Sequence, residues 1–563
     1  MSNKTLTLLM GFVAFLILVV GGIFIGVAMG GGGDDDGGGK VASQATSGKA
    51  TPKAGGTGTV SEICKGNSLI LAGSEPQTVF DPIQVGDVAT SEYIVEMFGG
   101  LVTIDTDLKI QPDIAKNWDV SADGKTYRFK LRDNVVFHNN RRVTATDVKY
   151  SLERAADPAN ASPTVKAYLG RIQGLVEKFD GKAKDISGVK VIDETTIEIT
   201  LTEPEDFFLA ELAYPVAYVV DKDQVEKDPR NWTRKPNGTG PFKMAEFKPQ
   251  EVIRLVRNDR YHLGAPKLDE VVFELGGGSI STRYENNELH IGIVPSQNLA
   301  DIAGGKSPLS KDYRAISELA VFYLTLNTQQ PPFDDLKFRQ ALASAIDRDN
   351  INKVLLYDRV KVADGILPPL MPGYQESASS YKYDPVKAKQ LLSESKYAGK
   401  VPRIVMTYSG SGGNSPEMLI AITKDWEDIL GIKVELQAVE SSAFLRELRR
   451  GSFQMADEGW AADYPDPENF LGKLFASDSP LNYTKYKNAA VDDLLKQARR
   501  ETDRNKRYQF YAQAEQLILD EAAIIPTFWP VEHTLVKPCV KNFPNAAMTV
   551  EKYRNVEIDP NAK

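Results

Sequence analysis

Strand and helix patterns alternate in the second half of the chain, and this order restricts the fold more than any other feature. Short apolar runs typical of buried strands occur at 404–408, 432–436 and 453–456. Helix patterns separate them at 415–431 and 442–450. Strands joined by helices form parallel sheets with crossover connections. This half of the chain is therefore predicted to be an α/β unit with a parallel sheet.

Two loops leave the predicted carboxyl ends of these strands. One follows Tyr408, and the other is the stretch 459–470, which contains Trp460, Asp463 and two prolines. The prolines exclude a regular helix or a central strand, so this stretch is expected to be a stiff, irregular turn. Ligands of open parallel sheets bind outside the carboxyl ends of the strands. Tyr408, Trp460 and Asp463 are therefore predicted to lie at one rim of a ligand cleft.

The first half of the chain is predicted to contain more hairpins. A short apolar strand at 68–72 is followed by alternating strand pairs at 117–132 and 189–201, the first around an Asp-Gly turn. Thr144 is placed to cap an amphipathic helix between the two pairs. A helix pattern at 338–346 begins the second half, and Asp334 or Asp335 is its expected cap.

An uncharged apolar run at 6–29 precedes all of these elements. As a helix it would be roughly 36 Å long at about 1.5 Å per residue, enough to span a bilayer with some tilt. It is longer than the apolar core of a cleaved signal peptide, and Lys4 before it favours a cytoplasmic amino terminus. We predict an uncleaved, single-pass anchor with the folded part outside the cytoplasm. Cleavage after Ala28 is the alternative.

The stretch 30–60 is rich in Gly, Ser, Thr, Ala and Asp and has almost nothing to bury, so it is predicted to be a flexible linker with a reach of roughly 30 Å. The net charge is −9 and no basic stripe is interleaved with aromatics, which argues against a nucleic-acid partner. Cys64 and Cys539 are the two cysteines, and outside the cytoplasm they could form one disulfide that closes a very long loop.

The chain resembles the solute-binding proteins of ABC transporters in the peptide/nickel class, called extracellular solute-binding family 5. The resemblance extends from Ser68 to about Val540. It rests on the order and spacing of these segments: Gly100-Leu101-Val102, Pro112-Asp113-Ile114-Ala115-Lys116-Asn117-Trp118, Asp123-Gly124-Lys125-Thr126-Tyr127, Phe137-His138, Thr144-Ala145-Thr146-Asp147-Val148, Ser151-Leu152-Glu153-Arg154 and Gly238-Thr239-Gly240-Pro241-Phe242.

The resemblance implies an α/β, two-lobe periplasmic-binding-protein fold of class II, in the large family-5 form with an extra subdomain. Hinge strands would join the lobes, which would close on the ligand. On this basis the chain is predicted to divide into an anchor at 6–29, a linker at 30–60, lobe I at 61–318 with an inserted subdomain at about 90–215, lobe II at 319–527, and a return to lobe I at 528–563.

The resemblance also implies the site. Peptide binders of this family place an Asp against the ligand's α-ammonium group, and the matching residue is Asp463, with Trp460 as its aromatic neighbour. A carboxylate in a water-excluded cleft forms a charge-assisted bond to an ammonium group. Tyr408, Ala461 and Tyr464 complete the predicted ligand-binding set. The loop after Tyr408 contains no Arg that could bind a peptide carboxylate.

The predicted function is therefore a membrane-tethered extracytoplasmic receptor that captures a peptide-like solute and delivers it to the permease subunits of an ABC transporter. We expect a monomer with no cofactor, no metal and no catalytic residue. Asp466 and Glu468 are expected to shape their turn and face water. Binding of an oligosaccharide or a metal chelate, or a sensor role, is an alternative on the same fold.

An enzyme is a further alternative. Asp463, Asp466 and Glu468 could reach the roughly 5–9 Å separation that glycoside hydrolases need, but no second wall of catalytic groups accompanies them. A metal site is disfavoured because none of the four histidines is spaced for zinc. They are His138, His262, His290 and His533.

Overall fold

The computed structural model describes residues 62–376, 381–410 and 415–562. The predicted anchor at 6–29 and linker at 30–60 lie outside these residues. Within the described ranges, no helix is both long and apolar enough to cross a membrane.

The strands are β1 (Ser68–Ala72), β2 (Val102–Ile104), β3 (Ile110–Pro112), β4 (Ala115–Val120), β5 (Thr126–Leu131), β6 (Val189–Asp193), β7 (Thr196–Thr200), β8 (Phe242–Lys248), β9 (Val252–Arg257), β10 (Glu270–Glu274), β11 (Ile291–Ile293), β12 (Tyr313–Ser317), β13 (Ala320–Leu326), β14 (Lys361–Val362), β15 (Ile404–Ser409), β16 (Val434–Val439), β17 (Met455–Ala461), β18 (Ile524–Trp529), β19 (Val531–Val536), β20 (Val540–Lys541) and β21 (Glu557–Ile558).

The α-helices are α1 (Val88–Met97), α2 (Ala145–Ala155), α3 (Val165–Leu169), α4 (Leu175–Phe179), α5 (Phe208–Glu211), α6 (Lys222–Lys227), α7 (Ile280–Glu285), α8 (Leu299–Ala303), α9 (Leu336–Ser344), α10 (Arg348–Leu355), α11 (Pro385–Glu394), α12 (Glu417–Leu430), α13 (Ser441–Arg450), α14 (Glu468–Phe475), α15 (Ala489–Arg500) and α16 (Arg504–Asp520).

A six-stranded sheet with the order β14-β18-β13-β17-β15-β16 organises the second half of the chain. Strand β15 pairs in parallel with both β16 and β17, so the parallel arrangement predicted from the alternation of strands and helices is confirmed. The sheet is covered on both faces. Leu324 and Met406 belong to a core with Trp426 of α12, whereas Tyr323 belongs to a core with Tyr511 of α16. We call the body around this sheet lobe II.

The remaining sheets form the body that we call lobe I. One has the order β1-β10-β9-β8, and another, in the first half of the chain, has the order β4-β5-β7-β6. Both hairpins of the second sheet were predicted, and Thr144 caps α2 as expected, through a capping box with Asp147. The chain enters lobe II from β12 through Glu318 and Leu319, and it leaves through Pro530 between β18 and β19. Two short crossings therefore join the lobes.

Cys64 and Cys539 form a disulfide that spans 475 residues of sequence. Both cysteines are buried in the same core as Leu69 of β1 and Val271 of β10. The bond therefore fastens the beginning of the described chain to its last segment within lobe I.

The bounds of β17 differ from the prediction in a way that affects the site. The last strand of the parallel set was predicted at 453–456, with an irregular turn from Gly459 onward, but β17 extends from Met455 to Ala461. Gly459 and Trp460 pair with Phe322 and Val321 of β13 and therefore continue the strand. The prolines interrupt the backbone only after Tyr464, and α14 begins at Glu468 with Pro467 as its cap. Trp460 thus lies on a sheet strand and not on a turn.

Candidate ligand-binding site

A cavity of about 220 Å³ lies between the two lobes. Lobe I contributes Asp87, Tyr168 and Tyr214, and lobe II contributes Arg449, Trp460 and Asp463. Small-molecule sites usually occupy about 300–1,000 Å³. The cavity is smaller than the lower end of that range and suits a small ligand.

Strand β17 has an open edge along this cavity. It pairs with β13 over its whole length, from Met455 to Ala461, but with β15 only at Met455 and Ala456. Among the described residues, no strand pairs with 457–461 on the β15 side, and all five of these residues line the cavity. An unpaired strand edge presents backbone donors and acceptors to any extended chain beside it. The cavity wall can therefore accept a peptide as an additional strand.

Asp463 follows the end of β17 and lines the cavity. Its Oδ2 accepts a hydrogen bond from the hydroxyl of Tyr168, which comes from α3 of lobe I, and a long one of 3.5 Å from Nδ2 of Asn469. The backbone N–H of Asp463 donates to Oδ1 of Asn469 at 3.0 Å. The side chain is therefore held from both lobes, while part of it stays exposed to the cavity.

The indole of Trp460 is fixed by the same amide. Its Nε1 donates to Oδ1 of Asn469 at 3.0 Å, and Asn469 is fully buried in the first turn of α14. One side chain thus orients both Trp460 and Asp463. The sequence pattern gave no reason to select Asn469, because it lies on a helix beyond the two prolines.

Three acids in β17 and just after it have raised pKa values. Burial raises the pKa of Asp463 to about 6, although the hydrogen bonds from Tyr168 and Asn469 act in the opposite direction. Burial alone raises the pKa of Asp457 to about 7, and burial likewise raises the pKa of Glu458 to about 7 against a hydrogen bond from Thr325. For each of these acids, the burial of the carboxylate outweighs the favourable contacts that the protein provides.

The predicted site set is partly revised. Trp460, Asp463 and Ala461 line the cavity. Tyr408 does not, because it points into the core of lobe II and its hydroxyl donates to Ser415, so the next residue, Ser409, lies at the rim instead. Tyr464 is also absent from the cavity wall, since it is fully buried.

The expectation that Asp466 and Glu468 face water is wrong. Both Oδ atoms of Asp466 accept from the guanidinium group of Arg507 at 2.7 Å. Glu468 is 1% exposed and lies 3.6 Å from Lys473 and 3.3 Å from Arg499. These carboxylates are held by fixed cations of lobe II and are not displayed to a substrate.

Several contacts cross the cavity rim and hold the lobes together. Besides the bond between Tyr168 and Asp463, Nζ of Lys473 in α14 donates to Oε1 of Glu211 in α5 and to the carbonyl of Ala167 in α3, both at 2.5 Å. Lys473 and Glu211 are both buried. The structure therefore shows the lobes in contact around the cavity.

The pKa shift of Asp457 predicts a pH-dependent effect of the Asp457→Asn substitution. Below about pH 4 the carboxyl is protonated in both folded and unfolded chains, so the variant and the parent should be equally stable. Between about pH 4 and about pH 7, the folded parent keeps a proton on Asp457 that the unfolded chain has already released. The stability of the parent therefore falls relative to that of the variant as pH rises. Above pH 7 the variant should be more stable by about 4 kcal/mol, because the pKa of the carboxyl rises from 3.8 to about 7 on folding. Urea unfolding of the unliganded proteins across this range measures the difference, and an equal or less stable variant at high pH would contradict the expectation.

Comparison with known proteins agrees with this architecture. Residues 109–481 match the family of bacterial extracellular solute-binding proteins, family 5 Middle. The chain is 32% identical over 479 residues to the dipeptide-binding protein of Escherichia coli (strain K12), an alignment that covers 80% of this chain and 86% of that protein. Such relatives are transport binding proteins and not enzymes.

Solved structures show the same fold. The murein tripeptide binding protein MppA of Escherichia coli matches with a TM-score of 0.79 at 28% identity, covering 89% of this chain and 99% of that one. The unliganded open form of MppA matches with a lower TM-score of 0.67 over the same shares of the two chains. The weaker match to the open form agrees with the interlobe contacts of Lys473 and Tyr168. The chain belongs to family 5 of the extracellular solute-binding proteins that serve ABC transporters.

Proposed function

We propose that the protein captures a short peptide between its lobes and delivers this peptide to the permease subunits of an ABC transporter. In this proposal, the apolar run 6–29 anchors the protein to the membrane and the linker 30–60 lets the folded part move. The peptide assignment rests on one observation, which is that an acid lies at the end of an unpaired strand edge. Asp463 lies beyond the carboxyl end of β17, and the free edge at 457–461 leads away from it along the cavity.

This arrangement suits the two features that all unmodified peptides share. A terminal ammonium group beside Asp463 gains a charge-assisted bond in the cavity between the lobes. The peptide backbone then continues along the free edge of β17, where backbone hydrogen bonds give affinity without regard to sequence. With the amine at Asp463, the peptide runs antiparallel to β17 and toward Asp457. The names of the dipeptide- and tripeptide-binding relatives support a ligand of this kind.

The lobe division predicted above completes the proposal. Lobe I and lobe II would rotate about the two crossings, at Glu318–Leu319 and at Pro530, to admit and enclose the ligand. The contacts made by Tyr168 and Lys473 would then form on closure, which couples burial of the ligand's amine to docking of the lobes.

Calorimetry with the tripeptide Ala-Ala-Ala and its N-acetylated form tests the peptide assignment. The free amine should bind at least about tenfold more tightly, because acetylation removes the charge that Asp463 binds and leaves the backbone unchanged. Equal affinity of the two forms would contradict the role of the amine. Failure of a panel of short peptides to bind, together with a non-peptide compound co-purifying by mass spectrometry, would overturn the proposed function.

A further inference from the structure

Among the described residues that line the cavity, Asp457 is the one acid whose carboxylate has no partner. It lies within β17, lines the cavity and is 4% exposed. Within the described residues, no group forms a hydrogen bond or ion pair with its carboxylate oxygens. These oxygens nevertheless keep some accessible surface. The carboxylate is therefore deeply buried and opens only onto the cavity.

The other acids of the wall are already satisfied by the protein. Asp463 accepts from Tyr168 and Asn469, as described above. Glu458 accepts from the hydroxyl of Thr325 at 2.5 Å. Asp87 accepts from the backbone of α1 at 2.7 Å, and Glu551 lies 3.3 Å from Arg554. Asp457 differs from all four in having no such bond.

The charges of the wall do not compensate Asp457. Five acids line the cavity (Asp87, Asp457, Glu458, Asp463 and Glu551), whereas Arg449 is the one cationic side chain among the described lining residues. Arg449 is engaged with the hydroxyl of Tyr483 and also lowers the pKa of Asp87. A buried carboxylate without a partner is unfavourable, and a cation brought by the ligand would remove the penalty.

The position of Asp457 along the strand limits which part of a peptide can reach it. Asp457 and Asp463 are six positions apart, which is at most roughly 20 Å in an extended strand at about 3.3 Å per residue. The third residue of a peptide lies roughly 7 Å from its amine, and a Lys or Arg side chain extends about 6 Å further. The side chains of Asp457 and Asp463 and the two hydrogen bonds add further length. A peptide of this kind can therefore contact both carboxylates.

We propose that the cavity selects peptides that carry, in addition to the terminal amine, a Lys or Arg side chain at the second or third position, and that Asp457 is the ligand of this second cation. The inference rests on the proposed peptide-binding function and specifies its substrate class. Single-residue amines and neutral peptides would leave Asp457 unpaired in the closed cavity, and so would bind more weakly.

Calorimetry on the full-length protein at about pH 8 tests the selection, with the tripeptides Ala-Ala-Lys and Ala-Lys-Ala and their norleucine counterparts. Norleucine keeps the aliphatic length of Lys and removes the charge. At least one Lys peptide should bind about tenfold or more tightly than its norleucine counterpart. In the Asp457→Asn variant this preference should fall below about twofold, while the norleucine peptides bind at least as tightly as they do to the parent.

Two further variants separate a binding role from a structural one. Asp493→Asn, an exposed acid of α15, should keep the full preference for Lys. Asp463→Asn should weaken the Lys and norleucine peptides by the same factor, so the preference should remain measurable. Equal binding of Lys and norleucine peptides by the parent protein would overturn the selection and leave the peptide-binding function standing. Loss of all peptides in Asp457→Asn would show a structural role, and absence of any peptide binding by the parent would overturn the proposed function itself.

Discussion

Replacement of Asp463 by asparagine is expected to lower the affinity for a short peptide by about 100- to 1,000-fold. Asparagine keeps the size of the side chain and its bonds to Tyr168 and Asn469, so the change removes mainly the charge. Loss of one member of a desolvated charge pair costs about 3–4 kcal/mol, because the ligand's ammonium group then remains buried without a counter-ion. Calorimetry with Ala-Ala-Ala measures the loss directly.

Two controls make this result specific. Tyr168→Phe removes a hydrogen bond to Asp463 but leaves the charge, so its effect should stay within about tenfold. The N-acetylated peptide carries no ammonium group, so it should bind the Asp463→Asn variant no more weakly than the parent. If Asp463→Asn binds the free peptide as tightly as the parent does, the amine is recognised by another group and the proposed orientation of the peptide is wrong.

Replacement of Lys473 by methionine is expected to destabilise the protein by about 3–5 kcal/mol. Lys473 compensates two buried acids: Nζ contacts Glu211 at 2.5 Å across the lobes and Glu468 at 3.6 Å within lobe II. Glu211 and Glu468 are each 1% exposed, so without Lys473 their charges remain in a poorly solvated interior. Urea unfolding monitored by tryptophan fluorescence gives the change in the free energy of unfolding.

A second substitution and an exposed pair serve as controls. Adding Glu211→Gln to Lys473→Met should restore part of the lost stability, because it removes the buried charge that lost its cation, whereas Glu468 keeps its 3.3 Å contact with Arg499. Arg500→Gln breaks a 3.3 Å contact with Glu203 in which the arginine side chain is 70% exposed, and should cost less than about 1 kcal/mol. A loss for Lys473→Met no larger than that for Arg500→Gln would show that Lys473 contributes no more than a surface ion pair.

The sequence was sufficient for those parts of the fold that depend on local patterns. The alternation of strands and helices in the second half predicted the parallel set, and the cap at Thr144 and the glycine at 431 marked helix ends correctly. These features depend on residues close in sequence. The same local patterns predicted that Asp463 lies beyond the end of a strand, and the structure agrees.

The remaining details depended on information that is not local. The sequence did not show that β17 continues through Gly459, because its pairing with β13 comes from a strand more than 100 residues earlier. Tyr408 was selected in place of Ser409, since the face on which each lies is set by packing against α12. Likewise, Tyr168 and Glu211 meet Asp463 and Lys473 across 295 and 262 residues. Such contacts between lobes leave no periodic signal.

The open edge of β17 also has a consequence for pairing with other copies of the chain. A free strand edge on a protein surface invites pairing with the strands of neighbouring molecules, and natural proteins usually blunt or cover it. Here the edge at 457–461 lies inside a recess of about 220 Å³ between two lobes. A short, separate peptide can enter such a recess, whereas a strand that belongs to another folded protein is too bulky to follow. The cleft thus leaves this strand edge accessible to a short peptide and shields it from the folded surfaces of other copies of the chain.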